Sequence, residues 1–359
     1  MNLSSNTYNP GHSAPKGGLL IFGLYSILSL GLILFLSCTK KSAVGESSDT
    51  IKSGYSEELP ARHEALTIDN NIGDIVNHPA FKGFGEILLP RDDNSRFYNT
   101  QLGKVGSLMP YHQNVDPEVV VGALNHMIEA VNDGQTIFYN FYTDGQMQDD
   151  PGKQNTGLFF YRGKPDAPFA IVCPGGGFSY VGSLHEGFPL ASEISKKGYN
   201  AFVIRYRIGS GRWATEDLAA AISYIFRNAE TLGVDKTDYS VWGGSAGARM
   251  AGDIALDGVS AYSGEDLPKP VAAIIAYTGQ SSYSGDFSPA FITVAANDRI
   301  VNVTTVERRV DNLRKAGVDV EYRRYERAGH GFGLGTGTDA EGWLDLAVQF
   351  WLSHIDEKE

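Results

Sequence analysis

Cysteine is scarce in this chain, since Cys38 and Cys173 are the only two among 359 residues. Two cysteines cannot build a disulfide framework or a cysteine metal site. Basic residues are also in the minority, with 30 Lys and Arg against 42 Asp and Glu and a net charge of −12. No Lys/Arg run interleaved with aromatic residues interrupts this acidic background, so no nucleic-acid partner is expected. Hydrophobic residues make up 42% of the chain, which is ordinary for a packed protein and excludes disorder as its main state.

Charge is absent from residues 17–37, which read GGLLIFGLYSILSLGLILFLS. About 20 apolar residues are enough to cross a bilayer. The segment runs into Phe-Leu-Ser-Cys at residues 35–38, which resembles the lipobox of bacterial lipoproteins with Phe35 in the place of the usual leucine. That resemblance implies that Cys38 is lipidated and becomes the first residue of the mature chain. Residues 1–38 are therefore predicted to be a signal and lipoprotein segment, with an uncleaved transmembrane anchor as the alternative.

Both alternatives attach the chain to a bacterial membrane, and the lipoprotein alternative implies export to the periplasmic or cell-surface face. Residues 39–60 are polar and lack periodicity, so they are predicted to form a flexible tether. Residues 61–134 are predicted to be an N-terminal extension of helix and loop, and one amphipathic stripe in it indicates a helix over residues 118–131. The remaining residues, 135–359, carry a different pattern and are assigned to the catalytic domain.

Strand-like and helical patterns alternate beyond residue 135. Strands are predicted in residues 136–142, 157–161, 169–173, 201–206, 239–242, 271–277, 291–295 and 318–325. Helices are predicted in residues 190–197, 216–232, 305–316 and 343–355, and a further helix is predicted to begin at about residue 246. This alternation predicts an α/β fold with a mostly parallel central sheet and helices on both faces. In such sheets reactive groups gather at the carboxyl ends of the strands.

A glycine-flanked serine follows the predicted strand 239–242, in the sequence Gly-Gly-Ser-Ala-Gly at residues 243–247. This G-x-S-x-G pattern is typical of a nucleophile elbow, in which a tight turn from strand to helix leaves no room for flanking side chains. The pattern alone is weak, but its place between a strand and helix-forming residues strengthens it. Ser245 is therefore predicted to be the catalytic nucleophile.

A second glycine-rich segment, Pro-Gly-Gly-Gly-Phe at residues 174–178, follows the predicted strand 169–173. Its position matches the loop that supplies backbone N–H donors to an oxyanion hole in lipases and esterases. Gly176, Gly177 and Ala246 are therefore the predicted donors. A phosphate-binding loop is excluded because the G-K-[ST] ending and the G-x-G-x-x-G spacing are both missing. No metal, flavin or nucleotide motif is present, so no cofactor is expected.

Only two histidines follow Ser245, and they are His330 and His354. His354 lies near the end of the chain in a predicted amphipathic helix, whereas His330 lies in a glycine-bracketed loop just beyond a strand. Asp298 follows the predicted strand 291–295 and precedes His330. The chain order Ser, Asp, His is that of the nucleophile-elbow hydrolases. Asp298 is thus predicted to orient the imidazole of His330, which acts as the general base.

These motifs resemble those of the esterase branch of the α/β-hydrolases, in particular bacterial carbohydrate esterases such as acetylxylan and feruloyl esterase-like domains. The likeness spans residues 159–355 and lies in CPGGGFSYVGSLHEGFPLA, YSVWGGSAGARMAGDIAL, VAANDRIV and YERAGHGFGLG. Pro174 departs from the pattern, because hormone-sensitive-lipase-like enzymes carry the histidine of HGGG there. The resemblance implies an α/β-hydrolase fold and a serine carboxylic ester hydrolase. Such an enzyme forms an acyl-enzyme and removes short, acetyl-like groups from carbohydrate or small esters.

Substrate contacts are predicted near the glycine-rich loop. Phe178, Tyr180 and Trp213 are candidates to line a compact pocket, because aromatic rings suit a sugar face, although all three suit a protein core equally well. His185 and Glu186 lie in a loop that leads to a helix and are weaker candidates for substrate contact, since Glu186 also suits a helix cap.

Two other functions remain open. A peptidase of the prolyl-oligopeptidase type shares this catalytic domain, but only about 130 residues precede the predicted catalytic domain, too few for a β-propeller. An inactive, glycan-binding surface lipoprotein is disfavoured by the complete set of catalytic residues. Acyl length, the alcohol portion of the substrate and the oligomeric state are left open by the sequence.

Overall fold

The computed structural model describes residues 62–355. The predicted signal or anchor segment with Cys38 and the predicted tether 39–60 lie outside the described residues. Among the helices within residues 62–355, none has the length and apolar character needed to cross a bilayer.

A central sheet and surrounding helices make up most of the described chain. The strands are β1 (Phe138–Tyr139), β2 (Gly157–Tyr161), β3 (Pro168–Cys173), β4 (Asn200–Arg205), β5 (Asp235–Gly244), β6 (Ala272–Ala276), β7 (Ala290–Ala295) and β8 (Val320–Tyr325). The helices are α1 (Ile72–Val76), α2 (Pro117–Asn132), α3 (Asp144–Asp149), α4 (Phe188–Lys196), α5 (Gly211–Arg227), α6 (Ala229–Leu232), α7 (Ala246–Asp257), α8 (Val303–Lys315) and α9 (Trp343–Leu352).

The eight strands form one sheet in the order β1-β2-β4-β3-β5-β6-β7-β8. Strands β1 and β2 run antiparallel to their neighbours, and β3 to β8 are parallel to one another. The predicted α/β fold with a mostly parallel sheet is confirmed. Strand β5 pairs with β3 on one side and β6 on the other, with Gly243 opposite Cys173 and Ile275. The loops that follow these three strands therefore meet at one edge of the sheet.

Two helices cover opposite faces of β5. The Trp242 ring lies against Trp343 and Trp351 of α9, with ring centroids 6.5 and 6.3 Å apart. A Cβ atom at Gly243 would point instead at Gly247 of α7, 2.3 Å from its carbonyl carbon. Because consecutive strand residues face opposite sides of a sheet, α7 and α9 lie on opposite faces.

Several elements differ from the sequence prediction in their bounds, and helix α5 and strand β1 show two of the physical reasons. Helix α5 begins at Gly211, five residues before the predicted start, because the Ser210 side chain accepts the N–H of Trp213 and caps the helix there. The run 136–142 forms only the two-residue strand β1, which pairs with β2 at the edge of the sheet. An edge strand has one neighbour, so its β-forming residues have fewer partners to extend it.

Residues 62–134 share one hydrophobic core with the sheet. This N-terminal extension consists of the short helix α1, several 3₁₀ turns and α2, and α2 packs against α4. The Asn125 side chain accepts the N–H of Leu66 at 2.8 Å and donates to its carbonyl at 2.9 Å. The Tyr161 hydroxyl of β2 donates to the carbonyl of Ala123 at 3.1 Å. These contacts fix the extension on the sheet and bring residues 109–114 to the edge that carries the glycine-rich loops.

Candidate active site

Ser245 stands at a strained turn between β5 and α7. Its backbone has φ 52° and ψ −114°, a left-handed φ that costs a non-glycine residue about 1–2 kcal/mol. The N–H of Ser245 donates to the carbonyl of Ala276 at 3.0 Å. A Cβ at Gly247 would lie 1.8 Å from the carbonyl oxygen of Cys173, so only glycine fits there. The close approach of α7 to β3 is thus what the G-x-S-x-G pattern encodes.

The structure brings Ser245, His330 and Asp298 together in a line. The Ser245 hydroxyl donates to Nε2 of His330 at 2.9 Å, and Nδ1–H of His330 donates to Oδ2 of Asp298 at 2.7 Å. The other carboxylate oxygen, Oδ1, accepts the N–H groups of Ile300 and Val301, both at 2.8 Å. The carboxylate is therefore held by the backbone while it orients the imidazole.

The loop that carries His330 is fixed on two sides. The N–H of Gly329 donates to the Asn297 side chain at 2.8 Å, which ties this loop to the one that carries Asp298. The Tyr277 ring lies edge-on to the imidazole, with centroids 5.3 Å apart. The imidazole of His330 is buried, so its orientation is set by protein contacts rather than by water.

The glycine-rich loop after β3 turns through three successive left-handed residues. The φ angles are 132° at Gly176, 63° at Gly177 and 55° at Phe178. Within residues 62–355, the N–H groups of Gly176 and Gly177 have no hydrogen-bond acceptor. Ala246 is the first residue of α7, where N–H groups lack partners within the helix and the helix dipole favours negative charge. The three predicted donors thus all carry N–H groups available to a ligand.

Three of the predicted substrate-contacting residues are buried instead. Tyr180, His185 and Glu186 are exposed to 0%, 5% and 1%, which leaves no surface for a substrate, so their predicted role is wrong. The Tyr180 hydroxyl accepts the N–H of Tyr111 at 2.9 Å, and the ring packs beneath the glycine-rich loop. The N-terminal extension, which the motif pattern did not place, is what covers these side chains.

The other two candidates reach the surface. Trp213 is 50% exposed, with the guanidinium of Arg207 5.9 Å from the centre of its ring. Phe178 is half-buried, and its ring lies against Gly211 at the start of α5. Both remain predicted contacts for a substrate beside the glycine-rich loop.

His112, in the N-terminal extension, is a site residue that the sequence did not indicate. Its Nε2 lies 3.1 Å from Oε1 of Glu186, with both side chains 2% exposed, and its Nδ1 lies 2.9 Å from the Tyr180 hydroxyl. A single histidine in an aperiodic loop has no motif around it, and the contact with Glu186 spans 74 residues of chain, as 186 − 112. Local pattern carries no signal for such a pair.

The buried groups around His112 have shifted pKa values. Burial raises the pKa of Glu186, but the charge of His112 and hydrogen bonds from His112 and Gly175 outweigh it and hold the pKa at about 2. Burial and the neighbouring His112 lower the pKa of His185 to about 4. Glu186 is therefore ionised and His185 neutral at pH 7. Within residues 62–355, no group of three or more His, Cys, Asp or Glu side chains is arranged to hold a metal ion.

Parts of this chain are similar to a known protein family, to curated enzymes and to solved structures. Residues 161–281 match the BD-FAE family. The acetylxylan esterase of Xylanibacter ruminicola is 24% identical over 239 residues, which cover 57% of this chain and 49% of that protein. The endo-1,4-beta-xylanase B of Butyrivibrio fibrisolvens is 33% identical over 92 residues, 24% of this chain and 14% of that protein. The chain therefore spans about half the length, or less, of these curated relatives.

A solved structure shows the same fold. The propionate-bound esterase Est2 of Thermogutta terrifontis superposes with a TM-score of 0.50 at 21% identity, over 57% of this chain and 92% of that one. The described chain therefore has the α/β-hydrolase fold, and its central residues 161–281 are similar to the BD-FAE family.

Proposed function

We propose that the chain is a serine carboxylic ester hydrolase that removes short acyl groups from carbohydrate or small esters. The observation that carries this proposal is the line of hydrogen bonds from Ser245 through His330 to Asp298, at 2.9 and 2.7 Å. This line begins at Ser245, the N-cap of helix α7, whose first residue is Ala246 and presents its N–H group there. A nucleophile, a base, an orienting acid and oxyanion donors are the complete set that acyl transfer requires.

In the first half of the reaction, Ser245 Oγ attacks the ester carbonyl carbon while His330 Nε2 takes the hydroxyl proton. The carbonyl oxygen becomes an oxyanion, which the N–H groups of Gly176, Gly177 and Ala246 stabilise. His330 then gives its proton to the leaving alcohol, and the acyl group remains on Ser245. Asp298 stays ionised and stabilises the imidazolium.

In the second half, a water molecule attacks the acyl-enzyme. His330 Nε2 takes a proton from the water, the oxyanion forms again at the same donors, and the bond between Ser245 Oγ and the acyl carbon breaks. The proton on His330 returns to Ser245, and the carboxylic acid leaves. No cofactor enters either half of the reaction.

A polar cavity near the carboxyl end of β6 supports a hydroxyl-rich alcohol portion. It has a volume of about 420 Å³ and is lined by Arg249, Asp253, Thr278, Gly279, Gln280, Ser281 and Ser282. The cavity is one helical turn from the nucleophile, since the N–H of Arg249 donates to the carbonyl of Ser245 at 3.2 Å. Side chains that donate and accept hydrogen bonds in one cavity suit sugar hydroxyls better than an alkyl chain. The names of the two curated relatives, an acetylxylan esterase and a xylanase, point to the same substrate class.

Short acyl groups are supported by what surrounds the elbow. The segment between β6 and β7, residues 277–289, forms no helix, so no apolar lid helix is built there. A second cavity, of about 200 Å³, is lined by Asp92, Asp150, Gly152, Arg207, Ile208 and Trp213. Its exposed aromatic ring and charged rim suit a sugar ring.

A p-nitrophenyl ester series from acetate to palmitate, run beside acetylated xylan, tests the substrate. We expect turnover to be highest for two to four carbons and to fall beyond about eight, because each added CH₂ is worth about 0.8 kcal/mol only where an apolar wall receives it. Release of acetate from the xylan should depend on Ser245. Rates that climb beyond eight carbons would contradict the short-acyl proposal, and turnover of prolyl p-nitroanilides in place of esters would indicate a peptidase.

We further propose that the chain is attached to a bacterial membrane through lipidated Cys38, which lies outside the described residues. Metabolic labelling with a palmitate analogue should mark the wild-type chain and be lost in Cys38→Ser. The matched control is Cys173→Ala, because Cys173 is the other cysteine and is buried, so its removal should leave the label in place. An unlabelled, full-length chain retained in membranes would favour the transmembrane anchor.

A further inference from the structure

One helical turn between β3 and α4, residues Ser183–Gly187, contacts both glycine-rich loops of the site. The His185 Nε2–H donates to the carbonyl of Gly331, next to His330, at 3.0 Å. The adjacent carboxylate of Glu186 accepts the N–H of Gly175, next to the oxyanion donors, at 2.5 Å. Two neighbouring side chains thus hold the loop of the base and the loop of the oxyanion hole.

The Glu186 carboxylate is packed between that loop and the elbow. A Cβ at either Gly175 or Gly244 would lie 2.7 Å from its Oε2 atom. Its Oε1 atom accepts the Tyr277 hydroxyl at 3.0 Å and lies 3.1 Å from Nε2 of His112. The carboxylate therefore connects the backbone before the oxyanion donors to the backbone before the nucleophile.

Every polar atom of this buried cluster has a partner when Glu186 is ionised. The N–H of Tyr111 donates to the Tyr180 hydroxyl, this hydroxyl lies 2.9 Å from Nδ1 of His112, and Nε2–H of His112 donates to Glu186. Removing one partner of such a cluster leaves a buried group unsatisfied, which costs about 1–3 kcal/mol and more for a charge. If one partner is removed, the glycine-rich loop can reduce this cost by shifting its backbone. Its three left-handed residues belong to no strand or helix whose hydrogen bonds would oppose that shift.

We propose that Glu186 and His112 are positioning residues, which hold Gly175 and thereby the N–H groups of Gly176 and Gly177 where the oxyanion forms. This role rests on the proposed esterase function. Both side chains are buried, so they act through the loop and do not touch the substrate. His112 comes from the N-terminal extension, which makes the extension part of the reaction's machinery rather than a spacer.

The test compares full-length variants by melting temperature, kcat and KM on p-nitrophenyl acetate, and rate of fluorophosphonate labelling. We expect His112→Ala and Glu186→Gln to lower kcat by about 10- to 100-fold with KM changed less than about twofold, because small displacements of catalytic groups cost up to about 10²-fold. His112→Gln should recover part of the loss, since its amide N–H can donate to the carboxylate. Labelling of Ser245 should continue but slow in parallel with kcat.

His126→Ala is the matched control. His126 lies in α2 of the same extension, with its Nδ1 2.9 Å from the Ser192 hydroxyl of α4, but it contacts no part of the site. We expect its kcat to stay within twofold of wild type. Equal losses in His126→Ala and His112→Ala, or a His112→Ala kcat within twofold of wild type, would overturn the positioning role. If His112→Ala does not fold, a kcat of Glu186→Gln within twofold of wild type would overturn it as well. A wild-type chain with no Ser245-dependent hydrolysis would overturn the esterase function itself and this role with it.

Discussion

Ser245→Ala is expected to abolish labelling by a fluorophosphonate probe and to lower kcat on p-nitrophenyl acetate by about 10⁴- to 10⁶-fold. The probe forms its bond with the serine oxygen, and acyl transfer through this site needs the same atom. The remaining rate would come from the oxyanion donors and from binding alone. Gel fluorescence after labelling and steady-state kinetics at a fixed pH are the measurements.

The control for this variant is Ser260→Ala, an exposed serine just beyond the far end of α7. It should be labelled and should turn over substrate as the wild type does. Equal labelling of Ser245→Ala and wild type, with melting temperatures unchanged, would show that another side chain is the nucleophile.

His330→Ala and Asp298→Ala are expected to lose activity as members of one unit with Ser245. His330→Ala should cost about as much as Ser245→Ala, and Asp298→Ala somewhat less, on the order of 10⁴-fold. The triple variant of Ser245, His330 and Asp298 should have a kcat close to that of Ser245→Ala. Once the nucleophile is removed, the base and the orienting acid no longer contribute to acyl transfer. Single-turnover and steady-state rates across the four variants give the comparison.

The chain offers a matched control in a second histidine–carboxylate pair. Nε2 of His354 lies 3.1 Å from Oδ2 of Asp319 at the surface, where Asp319 is largely exposed. His354→Ala should leave kcat unchanged, since an exposed pair of this kind is worth little. A His330→Ala variant that folds and keeps near-normal turnover, or losses that add up across the three positions, would mean that a different base serves Ser245.

Much of the sheet was predictable from sequence because strands β3, β4, β6 and β7 are buried on both faces and read as short apolar runs. Strand β3 and strand β7 start within one residue of the predicted positions. The first residues of the helices were harder to predict. A capping side chain such as Ser210 can set where a helix begins, and hydrophobic periodicity does not reveal it. The length of the edge strand β1 was harder still to predict. It depends on pairing with β2, a separate segment of the chain, and not on the residues of β1 alone.

The candidate site divides in the same way. Ser245, His330 and Asp298 stand in local motifs next to strands, and the parallel sheet brings the ends of those strands together. Tyr180, His185 and Glu186 stand in an equally suggestive stretch. The structure nevertheless buries them under a distant segment around Tyr111, which lies 69 positions before Tyr180. Burial by a distant segment is a property of the whole fold. Likewise, no sequence pattern around His112 predicts its contact with Glu186.

The shared core of the extension and the sheet limits how this protein can be divided or recombined. A recombinant form that begins at residue 135 would keep every motif but would lose the donor to a buried carboxylate and the helix that packs on α4. A chimera that joins the segment 161–281 to a different N-terminal segment would lose the same two contacts, that of His112 with Glu186 and that of α2 with α4. A portion that preserves the site as an inherited or engineered module must therefore keep the extension, residues 62–134, together with the sheet.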